Sequence, residues 1–182
     1  GPSGYVYCPG NAWWDGTGMS YCEGNSSYNN TGELGNVVYH EYGHGVSNRL
    51  TGGPANANAL DAVQSGGLGE GWSDWWALML TQEPTDAAMH AYPVGTYVLG
   101  KEPDGDGIRR YSYSFDMAID PLTFGIYNDS SQVHDAGEIW ASALWDLNWL
   151  LIDGNALDPD MPTGLGFDPD LYHGTGGNNL AL

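Results

Sequence analysis

The stretch VVYHEYGHGVSNRL, Val37 to Leu50, sets two histidines four residues apart, with a glutamate directly after the first. On a helix, residues i and i+4 share one face a turn apart, so His40 and His44 aim their imidazole nitrogens at a common point. Such a pair suits Zn²⁺, which holds imidazole nitrogen at ~2.0–2.1 Å and in catalytic sites takes three protein ligands. Glu41 projects nearby without being a ligand, the placement of a base that takes a proton from an attacking water. The plain alternative is a solvated helical face. Val37, Val38 and Tyr39 argue against it, because they put this helix in a core, where three ionisable groups need partners.

The segment GLGEGWSDWW, Gly67 to Trp76, offers the third ligand. A second helix is expected over about 69–82, with Glu70 at its start and Asp74 one turn on. Glu70 completes a His₂Glu set, and Asp74 accepts the spare N–H of a ligand histidine, fixing its tautomer. Compensation of the helix dipole would explain Glu70 alone about as well. It explains Asp74, flanked by Trp72, Trp75 and Trp76, less well.

The surrounding chain bounds the rest. It has 182 residues, 28 of them glycine, and no apolar run that approaches a membrane span. Four basic residues against 23 acidic ones give a net charge of −19, which argues against nucleic acid or anionic membranes as partners. Cys8 and Cys22 bracket a Gly-rich segment and are expected to form a disulfide in an oxidising compartment, the alternative being two buried thiols. Residues 1–32 read as extended structure and turns, and the first helix as about 34–50. Residues 84–133 read as irregular. A third helix, about 135–152, carries a core stripe of Ile139, Ala143, Leu144, Leu147, Leu150 and Leu151. The closing NNLAL reads as the first turn of a further helix. The acid-rich turns EPDGDG (Glu102–Gly107) and DPDMPTGLGFDPD (Asp158–Asp170) make calcium thinkable, yet neither repeats the EF-hand loop, and solvated turns account for them.

Three segments in this order, HEYGHGVSNRLTGG (His40–Gly53), GEGWSD (Gly69–Asp74) and VHDAGEIWA (Val133–Ala141), resemble the signatures of the fungalysins, secreted zinc endopeptidases related to thermolysin. The resemblance covers most of residues 11–182. It implies an α+β, thermolysin-like fold, with a zinc helix and further helices below an edge strand. It also implies that the chain is incomplete at both ends, one partial catalytic domain over 1–182 with an edge-strand part (1–33) and a mainly helical zinc-binding part (34–182).

Carried over residue by residue, His40, His44 and Glu70 are the zinc ligands, Glu41 the general base and Asp74 the partner of a ligand histidine. His134 resembles the histidine that donates to the developing oxyanion, with Asp129 orienting its ring. Such a donor contributes ~3 kcal/mol to the transition state. The bland alternative makes Asp135 a helix cap and His134 incidental. A rival metal pair, His134 with Glu138, is redundant once Glu70 fills the third place. In GIRRYSYSFDM, Arg109 matches the arginine that hydrogen-bonds the substrate's main-chain carbonyl, with Arg110 a bystander and Tyr111 or Tyr113 a further hydroxyl. NAWWDG resembles the edge strand that pairs with extended peptide, through Asn11 and the Ala12 backbone. One departure stands out: residues 45–69 lack the tyrosine that thermolysin-like enzymes place there.

The expected product is an extracellular zinc endopeptidase acting on peptide or protein substrates. An inert module stabilised by zinc is the alternative, and it would have no need of Glu41.

Overall fold

The computed structural model describes residues 8, 10–128 and 132–182. In chain order these form a hairpin of β1 (Ala12–Trp14) and β2 (Met19–Tyr21), then the helices α1 (Gly35–Gly52), α2 (Val63–Thr81), α3 (Val133–Asp153) and α4 (Gly177–Ala181). The architecture is mixed and mainly helical, with one small antiparallel sheet whose register runs from Ala12 opposite Tyr21 to Trp14 opposite Met19.

Two ties fix the hairpin. Cys8 and Cys22 form a disulfide across 14 residues, worth ~3 kcal/mol through the freedom it removes from the unfolded chain. Buried Thr31 donates its hydroxyl to the Asn11 carbonyl. The hairpin then rests on α1. A Cβ at Gly45 would lie 3.3 Å from the Trp14 ring, so the missing side chain lets the indole lie on the helix, while Arg49 sits 4.8 Å over that ring. The helix that supports β1 is therefore the one that carries His40 and His44. Of the three apolar residues before them, Val37 is buried and Tyr39 is exposed.

Helix α2 begins at Val63, six residues before the expected start. Glycine lowers helix propensity by ~1 kcal/mol per residue, which is why Gly66, Gly67 and Gly69 read as a break. Here they are helical because tertiary contact needs them. A Cβ at Gly67 would meet the Ala136 Cβ at 2.8 Å, and one at Gly71 the Gly137 carbonyl at 2.5 Å. Glu70 thus sits more than a turn into α2, beyond the reach of dipole compensation.

Helix α3 begins at Val133 and is capped by Gln132, whose side chain accepts from the His134 and Asp135 amides, so Asp135 is not the cap. Its buried face is the expected one only in part, with Leu144 packed partly buried against the core. Ala141, Trp145, Trp149 and Ile152 enter the core, whereas Leu147 is exposed and Ile139 and Ala143 line an apolar cavity of about 610 Å³. The two indoles decide the rotation, since each buries more apolar surface than a leucine. They pack with Trp75, Leu78 and Met79 of α2 and with Tyr92, Val94 and Tyr113 from the irregular segment. That segment is pinned by a backbone bridge between Tyr92 and Tyr113. Helix α4 realises the expected turn in NNLAL and packs on α3.

The α1–α2 crossing is tightest at Gly43, where a Cβ would lie 2.8 Å from the Ser73 Cα. Backbone cannot yield as a flexible side chain can. Gly43→Ala is therefore expected to destabilise the fold by about 1–3 kcal/mol, lowering Tm by roughly 3–10 °C, as scanning calorimetry would show.

Candidate metal centre

That crossing builds the site. Gly43 lies between His40 and His44 on α1, and Ser73 lies between Glu70 and Asp74 on α2, so their close approach brings all four side chains together. His40 Nε2 is 3.1 Å from His44 Nε2 and 3.3 Å from Glu70 Oε2, and His44 Nε2 is 3.6 Å from the same oxygen. A tetrahedral ion with bonds of ~2.0–2.1 Å sets its ligand atoms ~3.3–3.4 Å apart, which this triangle meets within a few tenths of an ångström. The donor set agrees. Asp74 Oδ1 accepts a hydrogen bond from His40 Nδ1 at 2.6 Å, so that His40, once its Nε2 proton is given up, presents a bare Nε2 lone pair to its neighbours. In that form three electron-pair donors face one another and call for a cation, a metal ion or, in its absence, the proton on His40. His40, His44 and Glu70 form the one such group among the described residues.

Asp74 is 1% exposed and anchors the arrangement. Besides His40 it accepts Arg109 Nε at 2.6 Å and Nη2 at 2.8 Å, and the Tyr113 hydroxyl. Burial would push its carboxyl up, but the Arg109 guanidinium and the hydrogen bonds outweigh that and hold it well below the usual range. Arg109 is correspondingly raised, the pull of Asp74 overcoming its own burial. Burial also opposes the Glu70 carboxylate, yet His40 and His44 hold it below the ordinary value.

Glu41 differs from these. It is buried, its Oε2 accepts no hydrogen bond among the described residues, and burial raises its carboxyl above the usual value. A buried carboxylate oxygen without a protein donor calls for a partner of another kind, such as water or a reacting group. It shares a cleft of about 460 Å³ with the metal group, His134, and Asn11 and Ala12 from the start of β1.

His134 Nε2 lies 3.3 Å from Glu70 Oε2, and burial lowers this imidazole below its usual value. The Gln132 amide nitrogen donates to Nδ1 at 2.6 Å while its oxygen caps α3, which fixes the amide's orientation and leaves the proton on Nε2. The sequence carried no sign of this contact, and Asp129, expected to orient the ring, lies outside the described residues. Glu138 is engaged by Arg110, not paired with His134 around an ion. Arg109, expected on a substrate carbonyl, commits two donors to Asp74 and also lines a hollow of about 70 Å³ beside Glu41 and His134. Of the two tyrosines, Tyr113 is buried on Asp74 and Tyr111 is exposed. In the acid-rich turns, Asp168 accepts the Asp170 amide, and Asp170 those of Tyr172 and His173.

Comparison with known proteins bears on what this geometry is. The model of the fungalysin metallopeptidase family matches residues 16–182. The chain belongs to that family. Among relatives of the fungalysin chain, "Extracellular metalloproteinase 10" of Uncinocarpus reesii is 46% identical over 152 residues, 82% of this chain and 22% of the relative. "Extracellular metalloproteinase mep" of Aspergillus fumigatus is 44% identical over 128 residues, 70% of this chain and 20% of the relative. "Extracellular metalloproteinase 2" of Phaeosphaeria nodorum is 46% identical over 118 residues, 65% and 18% respectively. The chain spans about a fifth of the length of these curated relatives. In this fungalysin, His40, His44 and Glu70 are the side chains able to hold the metal that the family name implies.

Metal binding must compete with a proton. Burial lowers His40, but its hydrogen bonds to the Asp74 and Glu70 carboxylates outweigh that and raise the imidazole to about 9. That raised value stabilises the metal-free fold fully below the unfolded value of 6.5, and the contribution is lost as pH rises through about 9. At neutral pH the metal-free site therefore carries His40 as a cation. Apparent affinity for Zn²⁺ is expected to tighten by up to about tenfold per pH unit from neutral toward 9 and then level off. Calorimetric titrations in buffers of different ionisation enthalpy should register about one proton released per ion at pH 7.

Proposed function

We propose that this chain carries the catalytic centre of a secreted zinc endopeptidase of thermolysin-like architecture, with residues 1–182 forming part of one catalytic domain. The observation that carries this reading is Glu41: a buried carboxylate, one oxygen unsatisfied, beside a convergent His₂Glu group. A purely structural metal site has no use for it. Two imidazoles and one carboxylate suit zinc. Zinc bound there would polarise the scissile carbonyl and make water nucleophilic near neutral pH.

The protein's own groups do the rest. Extended peptide adds along β1 at Asn11 and Ala12, its backbone hydrogen bonds setting the register of the scissile bond in the cleft. Glu41, raised by burial, takes the proton of the attacking water and passes it to the leaving amine. His134 donates from Nε2 to the oxyanion, with Asp129 the further acid of this reading. Asp74 holds His40 in the tautomer that leaves Nε2 free. Arg109 fixes Asp74, and only the donors left over from that contact are available to a substrate carbonyl. The relatives' names, which include the word extracellular, and the Cys8–Cys22 disulfide support secretion.

Casein cleavage by wild type and Glu41→Gln, with zinc measured on both, tests this. Glu41→Gln is expected to keep its zinc and lose roughly 10²–10⁴-fold in rate. Zinc bound by both proteins with cleavage by neither would overturn the catalytic reading in favour of an inert, zinc-stabilised module.

A further inference from the structure

The two adjacent arginines tie one loop to two different helices. Arg109 forks onto Asp74 of α2, whereas Arg110 turns to α3. The Arg110 amide donates to Glu138 Oε1 at 3.0 Å, its Nε to Glu138 Oε2 at 2.7 Å, and its Nη2 to the Asp135 carbonyl at 2.6 Å. Glu138 is 2% exposed, so its carboxylate has been drawn out of water to meet this one cation. It stands four residues after His134, on the same face of α3, and Asp135 directly follows His134. Arg110 therefore grips the turn that presents the imidazole.

The contacts of Gly67 with Ala136 and of Gly71 with Gly137 set the spacing of α2 and α3, and Gly66 and Gly67 also meet Val133 at the first residue of α3, where the Cβ each lacks would lie 3.3 Å from Cγ1 and 3.5 Å from the carbonyl oxygen respectively. The Gln132 cap holds the first turn of α3 from its own end, and Arg110 holds it from the side of the loop. Only a guanidinium, with Nε and Nη2 in one rigid fork, can hold the Glu138 carboxylate and the Asp135 carbonyl together.

We infer that Arg110 and Glu138 are positioning residues that set His134 in register with Glu70 and the metal group. The inference rests on the reading of His134 as the oxyanion donor. Arg110 bonds to Glu138 and Asp135, neither of them a candidate metal ligand, and acts through α3.

The test uses the zinc-loaded protein, with peptide kinetics and calorimetric binding of a phosphinic tripeptide, whose tetrahedral phosphinate carries charge where the oxyanion forms. Arg110→Met is expected to lower kcat roughly 10- to 100-fold with KM nearly unchanged. Phosphinate affinity should fall in parallel, zinc content should hold, and Arg110→Lys should restore only part of the loss. Should Arg110→Met fold poorly because it strands Glu138, the Arg110→Met/Glu138→Gln double variant removes both charges and should show the same kcat loss. Placed on His134→Ala, either change should cost no more than about twofold, because the group they position is gone. Unchanged kcat in both variants, or losses that add fully to His134→Ala, would overturn the inference and leave a plain loop fastening. If His134→Ala itself leaves kcat and phosphinate affinity intact, the donor reading of His134 fails, and the positioning inference falls with it.

Discussion

The buried carboxylate of Asp74 is the interaction on which the rest depends. Drawing a charge out of water is costly unless it is paired and fully hydrogen-bonded. Asp74 meets both conditions at once, with a guanidinium fork, an imidazole and a phenol. Each donor comes from a different part of the chain: His40 from α1, Arg109 from the loop after residue 106, and Tyr113 from the bridge with Tyr92. One side chain of α2 thereby fixes the metal helix, the loop and part of the core relative to one another. The interaction that orients a candidate ligand is also the one that holds the fold around it.

Cation placement follows from the same economy of charge. The chain has four basic residues, and each has a definite contact. Arg49 covers Trp14, Lys101 pairs with Asp106, and Arg109 and Arg110 bind the buried carboxylates of α2 and α3. Against 23 acidic residues, two of these four cations stand next to each other in sequence, Arg109 buried beside the site and Arg110 reaching buried Glu138 from a partly exposed position. Net charge keeps the surface solvated, while the few cations determine internal geometry.

Much of the site was legible because its spacing is local. His40 with His44, and Glu70 with Asp74, are each one helical turn apart, and the sequence displays such pairs directly. The partners that cross between elements were less legible. Nothing local links Tyr113 to Asp74, or Arg110 to Glu138 at a separation of 28 residues. The scarcity of cations was the one signal that Arg110 was no bystander. The start of α2 was hidden because isolated propensity counts glycine as a breaker, whereas here contact with α3 requires it. The buried face of α3 was partly misplaced because a leucine stripe was read before the larger indoles of Trp145 and Trp149. The disulfide was expected from the two cysteines that bracket a Gly-rich segment, and the strand at Ala12–Trp14 from the resemblance of NAWWDG to the family's edge strand.

The glycines at Gly43, Gly71 and Gly137 put backbone against backbone, with no layer of side chains between the helices to take up a displacement. A helix rises about 1.5 Å per residue, so a slip of a single residue would carry a ligand atom out of bonding range. Such helices have no slack to trade. Substitutions that leave the metal group intact are therefore best accommodated at exposed positions of the connections, away from Arg109, Arg110 and Tyr113, and in the Gly/Pro/Asp-rich turns after α3. The centre is geared to the main chain.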